Sequence, residues 1–216
     1  MPRGRPTEIP EDALLDAARD LLLEKGLRAT TAGIAARAGV SEGLVFYRYR
    51  NKDALLAAVL KRQDRVPPRL EELAATAGQG SLEGNLQEIG RLVLTSARSV
   101  HPLIELIHSS PAFPRLRRLL SGPEAGPFRI IACVERYFAG EIAARRLRAL
   151  SANLLARTLF GAVLDRVLSS RLSKEKPGAG EDDAFVSGLA DLLLRGTLLE
   201  GTGRRAPDSR PRRGSP

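Results

Sequence analysis

Two histidines, His101 and His108, and one cysteine, Cys133, are all the chain of 216 residues offers in side chains of those types. The histidines stand seven apart and would share a helix face. No Cys, His or carboxylate accompanies them at a zinc-site spacing. Cys133 lies in the apolar run Ile130-Ile131-Ala132-Cys133-Val134, the setting of a buried small hydrophobe. A phosphate-cradling glycine loop and a nucleophile elbow are both missing. The chain therefore does not read as an enzyme, and neither a metal nor a cofactor is expected.

Side chains suited to binding cluster in Thr30–Leu55, TTAGIAARAGVSEGLVFYRYRNKDAL. Thr30 and Thr31 start a short helix, where hydroxyls and free N–H groups can meet a phosphate. Thr30 equally suits a simple N-cap, and the two roles are compatible. Arg48 and Lys52 suit phosphate contacts. Glu42 can accept from cytosine N4, and Leu44 can touch a thymine methyl. Ahead of them, Pro2-Arg3-Gly4-Arg5-Pro6 resembles the core of an AT-hook, whose Arg3 and Arg5 would lie in a narrow minor groove. Its plainer reading is a disordered basic tail.

The elements that position these groups are two short helices and a turn. Ile34, Ala35 and Ala38 share one face of the first helix. Gly39 gives the backbone freedom for a sharp turn, and Ser41 caps the second helix. Val45 and Tyr49, four apart, should face a core with Val40, leaving Glu42, Tyr47 and Arg48 to point elsewhere. This is a helix-turn-helix, whose second helix can lie in the major groove.

The stretch resembles the TetR family of transcriptional regulators. Thr30, Thr31, Ile34, Ala35, Ala38, Gly39, Val40, Ser41 and Gly43 stand at the family's spacing, with Val45-Phe46 for its Leu-Tyr, Tyr49 for its Phe, and Lys52-Asp53-Ala54-Leu55 closing the motif. The resemblance covers about the first 65 residues. It implies that Glu42, Gly43, Leu44, Phe46, Tyr47 and Arg48 form the DNA surface. Phe46 lacks the hydroxyl of the usual tyrosine, and Leu44 replaces a commonly polar residue. The resemblance further implies a homodimer on a palindromic operator in double-stranded DNA, repressing transcription until a small apolar or amphipathic ligand binds.

Charge is weaker evidence than the motif. The net charge is +9, yet residues 1–65 hold 12 basic and 9 acidic side chains, while residues 204–216 hold 5 and 1. No apolar leader opens the chain, and no leucine-rich segment escapes interruption by charge. A cytoplasmic protein with no membrane partner is expected.

The remaining pattern is helical, so the fold class is all-α: a three-helix DNA-binding domain plus an antiparallel helical ligand-binding and dimerisation domain. The divisions expected are a basic arm over 1–9, the helix-turn-helix domain over 10–65, a regulatory and dimerisation domain over 66–201, and a disordered basic tail over 202–216. Pro10 should open the first helix, with Ala13, Leu14, Ala17, Leu21 and Leu22 buried. Asn51 should cap a helix to about Arg65, stopped by Pro67-Pro68. Helices are then expected at Leu70–Ala77, Leu82–Ser99, His101–Ser109, Pro114–Leu120, Phe128–Leu147 with a possible break near Gly140, Asn153–Leu172 and Asp182–Leu199. Leu154, Leu155, Thr158, Leu159, Ala162, Val163, Val167 and Leu168, with Phe185, Leu189, Leu192, Leu193 and Leu198, exceed the needs of one neighbour and predict a four-helix dimer contact.

The family's larger domain encloses a ligand pocket. His101, His108, Phe128, Cys133, Tyr137 and Phe138 are the candidates here for lining one, though Phe128 and Phe138 equally suit a core and the histidines a capped or exposed position. Two readings of other classes stay open: a regulator without a small-molecule effector, and a helical enzyme or lipid-binding module carrying a DNA-binding-like domain.

Overall fold

Capping residues decide where most helices begin. In the computed structural model, which describes residues 11–108, 114, 126–173, 178 and 180–195, Thr30, Ser41, Asn51 and Ser151 each accept a hydrogen bond from the backbone N–H three residues on. Each satisfies one donor that a helix start leaves free. The described residues form α-helices and no strand: α1 Glu11–Lys25, α2 Thr31–Ala38, α3 Glu42–Tyr49, α4 Lys52–Gln63, α5 Pro68–Ala75, α6 Leu82–His108, α7 Gly126–Ala143, α8 Ala152–Leu172 and α9 Glu181–Arg195. A single 3-10 turn, Gly26–Arg28, follows α1. The arm, Pro10, the expected Pro114–Leu120 helix, most of the loop after α8, Leu198 and the tail lie outside the described residues.

Two apolar clusters hold these helices. The first gathers Leu14, Leu21 and Leu22 of α1, Ile34 and Ala35 of α2, Val45 and Tyr49 of α3, Leu55, Leu56 and Leu60 of α4, and Leu103 of α6. Leu14, Ala17, Leu21 and Leu22 are buried as expected; Ala13 is exposed, and Leu15 and Ala18 widen the inward stripe of α1. The second cluster runs from Val66 to Ala190, with Tyr137, Phe138, Ile89, Val134 and Val163 at its centre.

Prolines and glycines account for the boundaries that differ from expectation. α4 stops at Gln63 with Asp64 as its cap, short of Pro67. Pro68 starts α5 rather than ending α4, since a first helical residue has no use for its N–H. α6 runs straight through Pro102, joining the two helices expected on either side. An interior proline costs about 3 kcal/mol, whereas burying Val100 and Leu103 on either side of it returns about 1.5–3 kcal/mol each. α7 likewise passes through Gly140 without a break and ends at Ala143. A Cβ on Gly140 would press into the Ala77 methyl, so this glycine serves close approach of the α5–α6 loop. The same loop is pinned by Glu141, fully buried, whose Oε1 accepts from Gly78 N at 3.0 Å and whose Oε2 lies 3.3 Å from Arg146 Nε.

The apolar surplus on α8 and α9 is narrower than expected. Leu155, Leu159, Val163 and Val167 of α8 and Leu189 of α9 are buried within the second cluster; α8 packs on α7 and α6, and α9 on α6. What remains outside is a stripe at helical spacing: Leu154 at 60% exposure, Thr158, Gly161 and Leu172 at 84%, interrupted by Asp165. On α9, Gly188 and Leu192 are exposed. Cβ atoms added to Gly161 or Gly188 would meet nothing within 4 Å.

Candidate nucleic-acid interface

Gly39 takes φ +68°, the left-handed cap that ends α2, and its N–H and that of Val40 bond back to the carbonyls of Ala36 and Ala35. This turn sets α3 across α2. A side-chain bond fixes the crossing further: Thr31 Oγ1 donates to Glu42 Oε1 at 2.7 Å. Val45 and Tyr49 turn inward, and Tyr49 Oη donates to Glu11 Oε1 at 2.9 Å. Burial, with the Glu11 contact next, pushes the Tyr49 phenol up to about 12.

The opposite face of α3 meets solvent. Glu42, Gly43 and Arg48 are exposed, Leu44 is partly so, Phe46 is 47% exposed and Tyr47 85%. Two uncovered aromatic rings on one short helix have no role inside this protomer, and such patches mark binding surfaces. Gly43 points the same way. A Cβ there would meet only Ser41 Oγ, at 3.9 Å, so no internal packing accounts for the glycine.

Some expected contacts carry internal work as well. Thr30 Oγ1 accepts from Gly33 N at 3.0 Å, so its hydroxyl caps α2 while its proton remains available. Glu42 uses only Oε1 on Thr31. Lys52, partly buried, donates to the Leu27 carbonyl, and two of its three protons remain for a phosphate. Arg50 was not foreseen: it is exposed, follows α3 directly, and is held at φ +56°. A non-glycine residue in that region is uncommon, and only its cationic type hinted at it.

α4 is fastened at both ends. Lys52 ties its start to the linker before α2. Near its other end, Arg62 reaches Asp16 Oδ2 at 3.0 Å and Asp12 Oδ1 at 3.2 Å on α1. Asp64, its cap, accepts from the N–H of Gly126, the first residue of α7. A Cβ on Gly126 would overlap the Asp64 carboxylate. Burial raises this carboxyl above the usual range, against the lowering influence of the Gly126 N–H and of Arg129.

Beside this joint lies a cavity of about 220 Å³, lined by Asp64, by Ser96, Ala97, Val100, His101 and Ile104 of α6, by the start of α7, and by Phe160 and Leu164 of α8. Of the six residues expected to line a pocket, His101 is the one among the residues described as lining this cavity. Tyr137 and Phe138 are wholly buried and pack edge to face, with centroids 5.9 Å apart; they belong to the core. Phe128 is 49% exposed and His108 is exposed, because both sit on outward faces of their helices. Cys133 is buried against the Leu70 carbonyl at 3.5 Å and borders a separate polar cleft. Sequence reading missed Asp64. An acid at a helix C-terminus opposes the helix dipole, and that conflict was the available signal of a partner elsewhere.

The profile of the bacterial regulatory proteins of the tetR family matches residues 14–59, which hold α1 to α3 and most of α4. The N-terminal domain belongs to the tetR family. Over 121 residues the chain is 36% identical to the HTH-type transcriptional repressor Rv3405c of Mycobacterium tuberculosis H37Rv, a match covering 56% of this chain and 61% of that protein. The whole fold is similar to that of a TetR-family transcriptional regulator from Mesorhizobium loti, with TM-score 0.70, 20% identity and coverage of 85% and 94%. It is also similar to FadR of Bacillus subtilis, solved in complex with stearoyl-CoA, with TM-score 0.64, 18% identity and coverage of 88% and 100%.

Within the tetR domain, Gly43 separates binding from stability. Gly43→Ala should stabilise the protein by up to about 1 kcal/mol, since glycine is a poor helix former, and should weaken DNA binding if α3 docks through this face. Urea unfolding and DNA titration on the same variant check both halves. A stable variant with undiminished DNA affinity would remove Gly43 from the interface.

Proposed function

We propose that the protein is a sequence-specific DNA-binding transcriptional regulator that acts as a homodimer on a palindromic operator. It represses until a small apolar or amphipathic ligand fills the cavity beside Asp64. Residues 10–65 are its DNA-binding domain and residues 66–201 its regulatory and dimerisation domain, and it works in the cytoplasm. The observation that carries this reading is the outward face of α3, where Gly43, Phe46, Tyr47 and Arg48 are exposed and Leu44 is partly so. The repressor name of the mycobacterial relative and the ligand-bound state of the Bacillus structure support repression and ligand response. Among the described residues, no helix is long and apolar enough to cross a membrane.

The stripe of Leu154, Thr158, Gly161 and Leu172 on α8, with Gly188 and Leu192 on α9, is the contact between copies. Its small residues let two helix pairs approach closely, and a two-fold contact presents two α3 helices to two half-sites. Ligand response follows from α4. Its start is tied beside the DNA surface and its end is tied to α7, so a change at the cavity shifts α3 rather than dissipating. The coupling needed is of order 1–3 kcal/mol.

Arg48→Ala tests the DNA-binding assignment. Loss of a phosphate contact should weaken binding to all sequences alike and reduce the salt slope by about one unit. Unchanged affinity and slope would show that α3 does not lie on DNA as proposed.

A further inference from the structure

The cavity wall is apolar almost throughout: Ala97, Val100, Ile104, Pro127, Ile130, Phe160 and Leu164. Its polar groups are few. Asp64 brings a carboxylate, Ser96 a hydroxyl, and His101 an Nδ1 that is buried and makes no hydrogen bond, with Glu105 Oε1 3.4 Å away. No Lys or Arg is among the described lining residues. Arg129, the cation that acts on Asp64, is exposed and borders the other cleft. Among the described lining residues a carboxylate or phosphate entering here would meet the Asp64 anion and no Lys or Arg, in a largely apolar wall, which desolvation penalises heavily. A cation would find the reverse.

We propose that Asp64 anchors the protonated amine of a small effector whose apolar body lies between α6 and α8. The proposal rests on the reading of this cavity as the effector site and names the chemical class that site takes. The volume lies below the 300–1,000 Å³ usual for drug-sized ligands, so the apolar body is a single ring or short alkyl chain. A charge-assisted bond is about twice as strong as a neutral one, and a preformed carboxylate in an apolar wall therefore selects amine over alcohol. Asp64 also caps α4 and holds the first N–H of α7. An amine bound there competes with the Gly126 N–H for the same oxygens, so occupancy is felt at the one joint linking α4 to α7. An acyl-CoA is the wrong ligand for this chamber on grounds of charge.

Calorimetric titration of the full chain with phenethylamine, phenethyl alcohol and phenylacetate tests the anchor. The expected ranking is amine first, alcohol weaker by about tenfold or more, and acid weakest. In Asp64→Asn the amine should fall to the level of the alcohol, while the alcohol binds as before and shows that the cavity is intact. The wild-type ranking alone decides the matter if that variant does not fold. Alcohol or acid binding as tightly as the amine, or an amine affinity unchanged by Asp64→Asn, overturns the anchor and leaves an apolar effector site standing. Failure of all three probes to bind at millimolar concentration overturns the effector-site reading itself, and the anchor with it.

Discussion

Gly161→Glu should leave the folded protomer intact and reduce operator affinity by about 10²- to 10⁴-fold. Gly161 is exposed on α8, and a side chain there meets nothing within 4 Å. Replacing glycine inside an exposed helix improves helix propensity by several tenths of a kcal/mol, so the protomer gains if anything. The proposed dimer should not tolerate it. In a two-fold contact the new carboxylate is buried against the partner helix and faces its own copy, and an unpaired buried charge is costly. Losing the dimer converts two linked half-site contacts into independent ones, which forfeits the avidity of about 10²–10⁴. Light scattering should then give the protomer mass of 23.3 kDa, with unchanged helical content by circular dichroism. A variant that stays dimeric would move the contact away from this stripe.

Phe138→Ala should cost about 3–5 kcal/mol, enough to unfold a marginal domain. Phe138 is 1% exposed, packs edge to face on Tyr137, and sits at the centre of the second cluster. Phe128→Ala, ten residues earlier on the same helix, removes a ring that is 49% exposed and should cost well under 1 kcal/mol, as surface changes generally do. Urea midpoints of the two variants separate the roles. Equal losses would contradict the orientation of α7.

That contrast shows where sequence reading stops. The caps at Thr30, Ser41, Asn51 and Ser151 and the left-handed turn at Gly39 were legible, because a hydroxyl or amide acts on its own backbone within three residues. The inward pair Val45 and Tyr49 was legible from spacing alone. Cys133, read as a buried small hydrophobe, is buried, but the aromatic residues of α7 were not legible. Local composition marks Phe128, Tyr137 and Phe138 as apolar without saying which is turned to the core, and that depends on α5 and α8, distant in sequence. A helix boundary was expected between Ser99 and His101, because the penalty of Pro102 is local while the burial offsetting it is tertiary. Gly140 was read as a possible break for the same reason, its neighbour Ala77 being out of sight. The cavity drew its walls from three helices and its anion from the end of a fourth, where no periodicity points.

Selection of bound fragments from genomic DNA by the full chain tests the central claim most directly. The account predicts enrichment of one inverted repeat whose half-site centres lie one helical turn apart, about 34–36 Å, or a multiple of it. It also predicts that Tyr47→Ala alters the preferred bases within the half-site, at a cost of about 1–3 kcal/mol, without altering the spacing. No enrichment over random fragments, or enrichment of single, unpaired sites, would contradict a dimer reading DNA through α3.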